Sequence, residues 1–187
     1  EFLGSSPSEF DPHWEDWLSA LITAKMIEDW TQETDEETIT KRYRMGPGDI
    51  RAKIDTADWL LRAAERLAIS LDLQSTSTIR NLQRRVKYGV KEELLELVAV
   101  QGVGRIRARQ LFNHGIHTRS DLRTEDKQLI LTALSGRKLT TEQILQNAGR
   151  TDSSLEDISI TRQFSSIKNK KTSNQKNEDQ ANLGDFK

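Results

Sequence analysis

The segment from Leu97 to Ile116, LVAVQGVGRIRARQLFNHGI, constrains the fold of this chain more than any other. A Gly-Val-Gly turn separates two runs that carry apolar residues at helical spacing. Because glycine adopts positive φ without steric cost, an apolar residue between two glycines favours a sharp, closely packed hairpin of two helices. The backbone N–H groups that open the second helix can then bind a phosphate. The pattern predicts a helix-hairpin-helix that grips nucleic-acid backbone without reading its sequence.

Basic charge is concentrated around this hairpin. Residues 80–123 contain ten Lys or Arg and four Asp or Glu, a net charge of +6, although the 187-residue chain as a whole has a net charge of −1. Residues 1–58 contain 14 acidic and six basic residues, a net charge of −8. Clustered basic charge favours a nucleic-acid ligand over the alternative, a merely solvated surface. The candidate backbone contacts are Gly102, Gly104, Arg105, Arg107 and Arg109.

Helical periodicity extends over most of the chain, and no pair of strands is indicated. We expect an all-α fold with a flexible N-terminus or cloning remnant (1–10), a helical bundle with one long helix (11–90), a helix-hairpin-helix domain (91–150) and a flexible tail (151–187). The tail is rich in Asn, Gln, Ser, Lys and Asp, so it has too few apolar residues to offset the entropy cost of ordering. The predicted helices are Pro12–Trp30, Asp35–Tyr43, Asp49–Leu71, Ser75 or Ser77 to just before Gly89, Val90–Val100, Arg105–Asn113, Ser120–Leu122, Glu125–Leu134 and Thr141–Asn147.

The long predicted helix has one apolar stripe and one aromatic residue outside it. The stripe residues recur at spacings of three and four: Ile50, Ile54, Ala57, Leu61, Ala64, Ala68 and Leu71. Trp59 lies about 180° from the centre of this stripe, beside Arg62 and Arg66. A large aromatic side chain among arginines on a polar face can stack on a nucleobase. The alternative is that Trp59 packs against a neighbouring helix of a bundle.

A helix-turn-helix over Glu36–Arg66, with its recognition helix from Ile50 onward, is a further interpretation of the same region. The surrounding acidic residues disfavour insertion into the major groove, since they repel the phosphates on either side.

The sequence offers no catalytic or metal-binding constellation. It contains no phosphate-cradling GxxxxGK[ST] loop and no cysteine, and His13, His114 and His117 do not form a plausible site. No apolar run approaches membrane-spanning length, and no signal peptide is recognisable. We therefore expect a monomeric, non-catalytic protein of the cytoplasm that needs neither a cofactor nor a metal of its own.

Three segments, in order, resemble the C-terminal region of a known helicase family. They are GPGDIRAKIDTADWLLRAAERLA (Gly46–Ala68), RVKYGVKEELLELV (Arg85–Val98) and GVGRIRARQLFNHGI (Gly102–Ile116). The family is the archaeal Hel308 group of superfamily 2 DNA helicases, which is related to the helicase-like part of DNA polymerase theta. The resemblance extends over about Trp14–Leu145. It implies a helical bundle and a helix-hairpin-helix domain that follow two RecA-like motor domains and a winged helix, so this chain would be a fragment without the ATPase.

The same resemblance implies an archaeal, nucleoid-associated protein. Its parent would be a 3′–5′ helicase that uses ATP and Mg²⁺ and acts on single-stranded or forked DNA in replication-fork repair and recombination. In the family, a tryptophan of the long helix stacks on a base, and Trp59 matches it. An arginine two turns earlier is replaced here by Ala52, flanked by Arg51 and Lys53, of which Arg51 is the better substitute.

The resemblance also assigns a role to the hairpin. Arg105, Arg107 and Arg109 match the R-x-R-A-R motif of the family, which contacts the exiting 3′ strand and restrains the motor. These arginines are then controls on strand passage rather than sources of affinity.

The tail suggests a second function. Gln180, Leu183 and Phe186 form a Q-x-x-L-x-x-F pattern similar to the box that docks onto the sliding clamp PCNA. The usual box has two adjacent aromatic residues, whereas Lys187 follows Phe186 here. The alternative function is therefore a protein-interaction module that recruits PCNA or other repair proteins. A sequence-specific transcription factor is a third possibility, and it would discriminate strongly among duplex sequences.

Overall fold

The computed structural model describes residues 6–155, and every regular element in this range is helical. The all-α prediction is therefore confirmed for the described part of the chain. The α-helices are α1 (Trp14–Thr31), α2 (Glu36–Tyr43), α3 (Pro47–Ser70), α4 (Thr76–Tyr88), α5 (Leu95–Val98), α6 (Arg105–Asn113), α7 (Arg119–Thr124), α8 (Lys127–Ala133) and α9 (Lys138–Ala148). A 3₁₀ turn at Glu92–Leu94 leads into α5.

Local capping chemistry sets several of these boundaries. The Asp35 carboxylate accepts a hydrogen bond from the backbone N–H three residues later and starts α2. Thr118 and Asp121 form a capping box at the start of α7. Helix α3 begins at Pro47 rather than at the predicted Asp49, because proline suits the first helical turn, where its missing N–H needs no partner.

The helices enclose two separate cores. The first lies among α1–α4, which we call the bundle, and consists of Met26, Ile39, Ile50, Ile54 and Val86. The second core contains nineteen buried residues between Val90 and Leu155, in the region that we call the second unit. The bundle thus has the smaller core of buried apolar residues. The division into domains at residues 11–90 and 91–150 stays a prediction.

One polar contact joins α1 to α2 inside the bundle. Asp29 is buried, and its carboxylate accepts hydrogen bonds from Tyr43 at 2.8 Å and from Arg42. Burial opposes ionisation of this carboxyl, but the bonds from Tyr43 and Arg42 hold its pKa below the usual value. The ion pair fixes the C-terminal end of α1, from which the loop toward α2 starts.

Helix α3 buries most of the predicted stripe. Ile50, Ile54 and Ala68 are buried, whereas Leu71 at the end of the stripe is 67% exposed. Leu71 is the C-cap, where the backbone leaves helical geometry, so helical periodicity no longer determines the direction of its side chain. Within residues 6–155, no helix has both the length and the apolar character needed to cross a membrane.

Candidate nucleic-acid interface

Trp59 is an exposed aromatic side chain on the long helix. Its indole is 67% exposed, on the side of α3 opposite the buried Ile50 and Ile54, as the periodicity predicts. Arg62 and Arg66, three and seven residues later, lie on the same side, since residues at these spacings are neighbours along a helix face. An open indole beside two guanidinium groups has the chemistry of a stacking site for a nucleobase.

The predicted residues of α3 differ in their contacts. Arg62, on the side of Trp59, donates to the carboxylate of Asp58 at 2.9 Å, and Arg51 is exposed. The Lys53 ammonium lies 3.4 Å from the hydroxyl of Thr23, so this side chain is turned toward α1. The structure therefore groups Trp59 with Arg62 and Arg66 and separates Lys53 from them, while the roles of all five residues in binding stay predictions.

The turn between α5 and α6 has the glycine geometry that the sequence predicts. Gly102 adopts a φ of +91°, a backbone conformation that residues with a Cβ atom rarely adopt. Val103 is buried and anchors the turn in the second core. Gly104 is the N-cap of α6, and a Cβ at this position would meet no atom within 4 Å. The start of α6 is therefore open, and its first N–H groups, which have no acceptor within the helix, can receive an anion.

Arg107 stays at this turn. Its guanidinium donates to the backbone carbonyl of Gly102 at 2.7 Å, within the hairpin itself. Because the bond is local and exposed, exchanging it for a bond to phosphate would disturb no contact with the bundle.

Arg105 points instead toward the bundle. Its guanidinium donates to the carbonyl of Thr34 at 2.6 Å and lies over the indole of Trp30, 4.7 Å from the ring centroid. Such a stack is a cation–π interaction. Burial lowers the pKa of Arg105, and the charges of Glu33 and nearby acids offset part of that effect.

Arg109 makes the strongest link between the hairpin and the bundle. It donates to the two carboxylate oxygens of Glu33 at 2.8 and 2.7 Å, and a further bond reaches Glu93 at 2.7 Å. The paired bonds are the fork geometry in which guanidinium binds carboxylate best. The bonds to Glu33 raise the pKa of Arg109. Burial alone would raise the pKa of Glu33, but the bonds from Arg109 and from the backbone N–H of Lys91 hold it below its usual value.

Trp30 is the centre of this contact between the hairpin and the bundle, and the sequence does not single it out. Its indole N–H donates to the carbonyl of Val86 at 2.8 Å. Gly89 adopts a φ of +64°, and a Cβ there would lie 2.4 Å from the indole ring. Only glycine lets the chain turn here and pass this close to Trp30. The sequence around Glu33 gives no indication of its role, because its partner Arg109 is 76 residues away along the chain.

A cleft of about 780 Å³ lies where the hairpin meets the bundle. Its walls combine arginines of α6 with acids that follow α1 and begin α2. The residues that line it are Trp30, Glu33, Asp35, Glu36, Gly104, Arg105, Ile106, Arg107, Arg109, Gln110, Leu134, Ser135 and Arg137. Within this cleft Glu33 binds Arg109 directly, whereas Glu33, Asp35 and Glu36 act on Arg105 only through their charges.

Other predicted features lie outside this interface. Gln180, Leu183 and Phe186 lie outside the described residues. Within residues 6–155 no group of three or more His, Asp or Glu side chains is placed to hold a metal ion.

Comparison with known proteins supplies a family. Residues 1–89 match the family described as archaeal helicase, domain 4. The chain is 36% identical over 128 residues to the ATP-dependent DNA helicase Hel308 of Methanocella arvoryzae, an alignment that covers 67% of this chain and 17% of that relative. It is 45% identical over 112 residues to Hel308 of Caldivirga maquilingensis, covering 58% of the chain and 15% of the relative. With Hel308 of Methanocaldococcus jannaschii the identity is 40% over 105 residues, covering 56% and 9%. The chain therefore spans less than a fifth of the length of each relative.

Proposed function

The chain belongs to the archaeal Hel308 family of DNA helicases, of which it forms a C-terminal region, and we propose that it grips single-stranded DNA by base stacking and backbone contacts. The observation that supports this function best is the 67% exposed indole of Trp59 on the long helix, beside Arg62 and Arg66. Stacking on a base would remove this apolar ring surface from water, which is favourable.

The hairpin supplies the backbone contacts in this proposal. The open start of α6 and the half-buried Arg107, whose bond to Gly102 is exposed, offer N–H groups and a guanidinium to a phosphate, and neither recognises a particular base. Arg105 and Arg109, in contrast, position the hairpin against the bundle. We therefore assign the strand contact of the R-x-R-A-R motif mainly to Arg107.

The wider role follows from the names of the relatives. As part of an ATP-dependent DNA helicase, the chain would hold the exiting strand of forked DNA during 3′–5′ movement in replication-fork repair and recombination. ATP and Mg²⁺ would act in a motor beyond this chain, which itself spans at most 17% of these relatives.

The test is titration of a fluorescently labelled oligothymidylate with the chain and its variants. Trp59→Ala should weaken binding by about 1–3 kcal/mol, which is the usual contribution of one stacked base. Arg107→Ala should weaken it less and reduce its salt dependence. Leu60→Ala is the matched control, because this side chain is 54% exposed on the same helix but turned about 100° away. Unchanged affinity in both Trp59→Ala and Arg107→Ala would overturn the assignment.

Recruitment of the sliding clamp PCNA is a second candidate function, favoured by the Q-x-x-L-x-x-F pattern of Gln180, Leu183 and Phe186. The proposal is that Leu183 and Phe186 enter an apolar pocket of the clamp while Gln180 fixes the register. Removing residues 178–187 should abolish clamp binding in a pull-down and leave oligothymidylate binding intact. Lys187→Ala is the control, since it removes only the residue after the box. If the truncated chain still binds PCNA, the proposed role of these three residues is wrong.

A further inference from the structure

A groove of about 310 Å³ lies between α3, α4 and the start of the hairpin, on a different side from the cleft that holds Arg109. Arg62 of α3, Arg84 and Lys87 of α4, and Ala99 just after α5 contribute to its walls. Its volume is at the lower end of the range for small-ligand sites. It can therefore take one unit of an extended chain, and it is too small for a folded partner.

The charge of the groove is predominantly positive. Helix α4, from Thr76 to Tyr88, contains four basic residues and no acidic residue. Arg80, Arg84 and Lys87 follow one another at spacings of four and three, so they share one face of α4. Glu65 is the acid in the groove wall, and Arg80 pairs with it at 2.6 Å. Among the described residues, no acid forms an ion pair with Arg84 or Lys87, so these two charges are available to an external anion.

The groove is suited to charge rather than to a base. The aromatic ring in its wall is Tyr88, but the Lys87 ammonium lies over that ring, 5.1 Å from the centroid. A nucleobase would have to displace this cation in order to stack. A phosphate needs no such displacement, because the cation itself is its partner.

The position of the groove joins the two parts of the interface. Arg62 lies one helical turn after Trp59 on α3, so the groove begins beside the exposed indole. At its other end, Ala99 is separated by two residues from Gly102 of the hairpin turn. A strand that stacks on Trp59 and reaches the hairpin on this side passes over Arg84 and Lys87.

We propose that this groove is a binding site for the sugar–phosphate backbone of single-stranded nucleic acid, with Arg84 and Lys87 as its phosphate contacts. The site rests on the proposed function and adds a segment of the strand path between the base on Trp59 and the hairpin. Its recognition is sequence-independent, because charge alone holds the strand there.

The salt dependence of binding tests this site. With labelled oligothymidylate, Arg84→Gln/Lys87→Gln should weaken binding and make the slope of log affinity against log salt shallower by about 1.4, the value for two phosphate contacts on a single strand. Lys41→Gln/Arg44→Gln is the charge-matched control at the end of α2, outside the groove, and its slope should be unchanged beyond the general effect of net charge. An equal slope in the groove variant and the control would overturn the site.

Two further variants separate the possible failures. Arg84→Lys/Lys87→Arg retains both charges and should restore affinity and slope, whereas loss in this swap as well would contradict a charge-based site. Arg84 and Lys87 are exposed, as are the control residues Lys41 and Arg44. The thermal unfolding temperature of each variant should therefore match that of the unmodified chain. If Trp59→Ala weakens binding but the groove variant does not, this site fails and the proposed function stands. If Trp59→Ala and Arg107→Ala both leave binding unchanged, the proposed function itself fails.

Discussion

Trp59 and Arg109 carry the two kinds of group that grip a nucleic acid, an aromatic face and a guanidinium, but the fold leaves them in opposite states. The indole of Trp59 is open to solvent, whereas Arg109 is bonded to Glu33 and Glu93. Both lie in segments that the sequence singles out for DNA binding. The difference shows that a basic motif in the sequence predicts where positive charge is concentrated. Whether that charge is free to bind a phosphate depends on the acidic residues that the tertiary fold places beside it.

The two regions also differ in what they do for stability. The face around Trp59 can change without loss of buried contacts, since its side chains are exposed. The contact between the hairpin and the bundle, made by Trp30, Arg105 and Arg109, is called the docked region. It joins the bundle, which has a small core, to the second unit, which has a large one. Substitutions in it should therefore alter folding, while substitutions beside Trp59 should alter binding alone.

The largest expected effect is at Gly89, where the docked region is most crowded. Gly89→Ala would place a Cβ 2.4 Å from the indole of Trp30 in a left-handed backbone conformation. We expect a loss of about 2–5 kcal/mol in the free energy of unfolding, from overpacking and backbone strain together. Urea denaturation measures it. Gly48→Ala is the control, because a Cβ there meets no atom within 4 Å, and equal losses in the two variants would show that contact with Trp30 is not the cause.

A smaller loss is expected from Arg109→Met, which keeps the apolar stem and removes the charge. The side chains of Arg109 and Glu33 are only 28% and 13% exposed, so the substitution leaves a partly buried carboxylate without its main partner. We expect a loss of about 1–3 kcal/mol in the free energy of unfolding, below the value for a fully buried pair because solvent screens part of the interaction. Lys41→Met breaks the largely solvated pair with Glu37 and should have no measurable effect. An equal change in the free energy of unfolding for the two variants would mean that the Arg109–Glu33 pair contributes nothing to stability.

Lowering the pH should weaken the docked region, because it protonates the Glu33 carboxylate that binds Arg109. Its pKa in the folded chain lies below the ordinary value of 4.5, so its charge stabilises the fold above that pH, and this contribution is lost as the pH falls through the folded pKa. The difference in stability between the unmodified chain and Glu33→Gln should therefore be largest near neutral pH and shrink below 4.5. Urea denaturation across this range tests the sign. Glu37→Gln, in the solvated pair, should show no such convergence, and a constant difference for Glu33→Gln would contradict the role of its charge.

Local chemistry explains which parts of this comparison could be predicted from the sequence. Helix α6 spans Arg105–Asn113 as predicted, since glycines bound the segment and its apolar residues follow helical spacing. The outward direction of Trp59 follows from its angle to the stripe. Lys53 could have been separated from Trp59 by the same reasoning, because six residues place the two about 120° apart.

The docked state of the arginines could not be predicted in this way. The bond between Glu33 and Arg109 joins residues 76 positions apart, and no periodicity or cap relates them. The negative charge of residues 1–58 is visible in the sequence, but the fold decides which carboxylates reach the hairpin. Local rules thus specify the helices and their faces, while the partners of a charged side chain depend on the packing of the two units.

The smallest expected effect tests whether the docked arginine competes with DNA. Glu33→Gln removes the carboxylate that holds Arg109, although Glu93 still contacts the same guanidinium at 2.7 Å. The partly released charge should increase affinity for oligothymidylate at low salt by a factor on the order of two to five, and the increase should fade as salt rises. Glu37→Gln removes an equal charge nearby from a pair that involves no hairpin arginine, so it reports the general effect of net charge. An equal increase in the two variants would mean that Arg109 serves only to position the hairpin. A larger increase for Glu33→Gln would show that Glu33 occupies a site that a phosphate can also use.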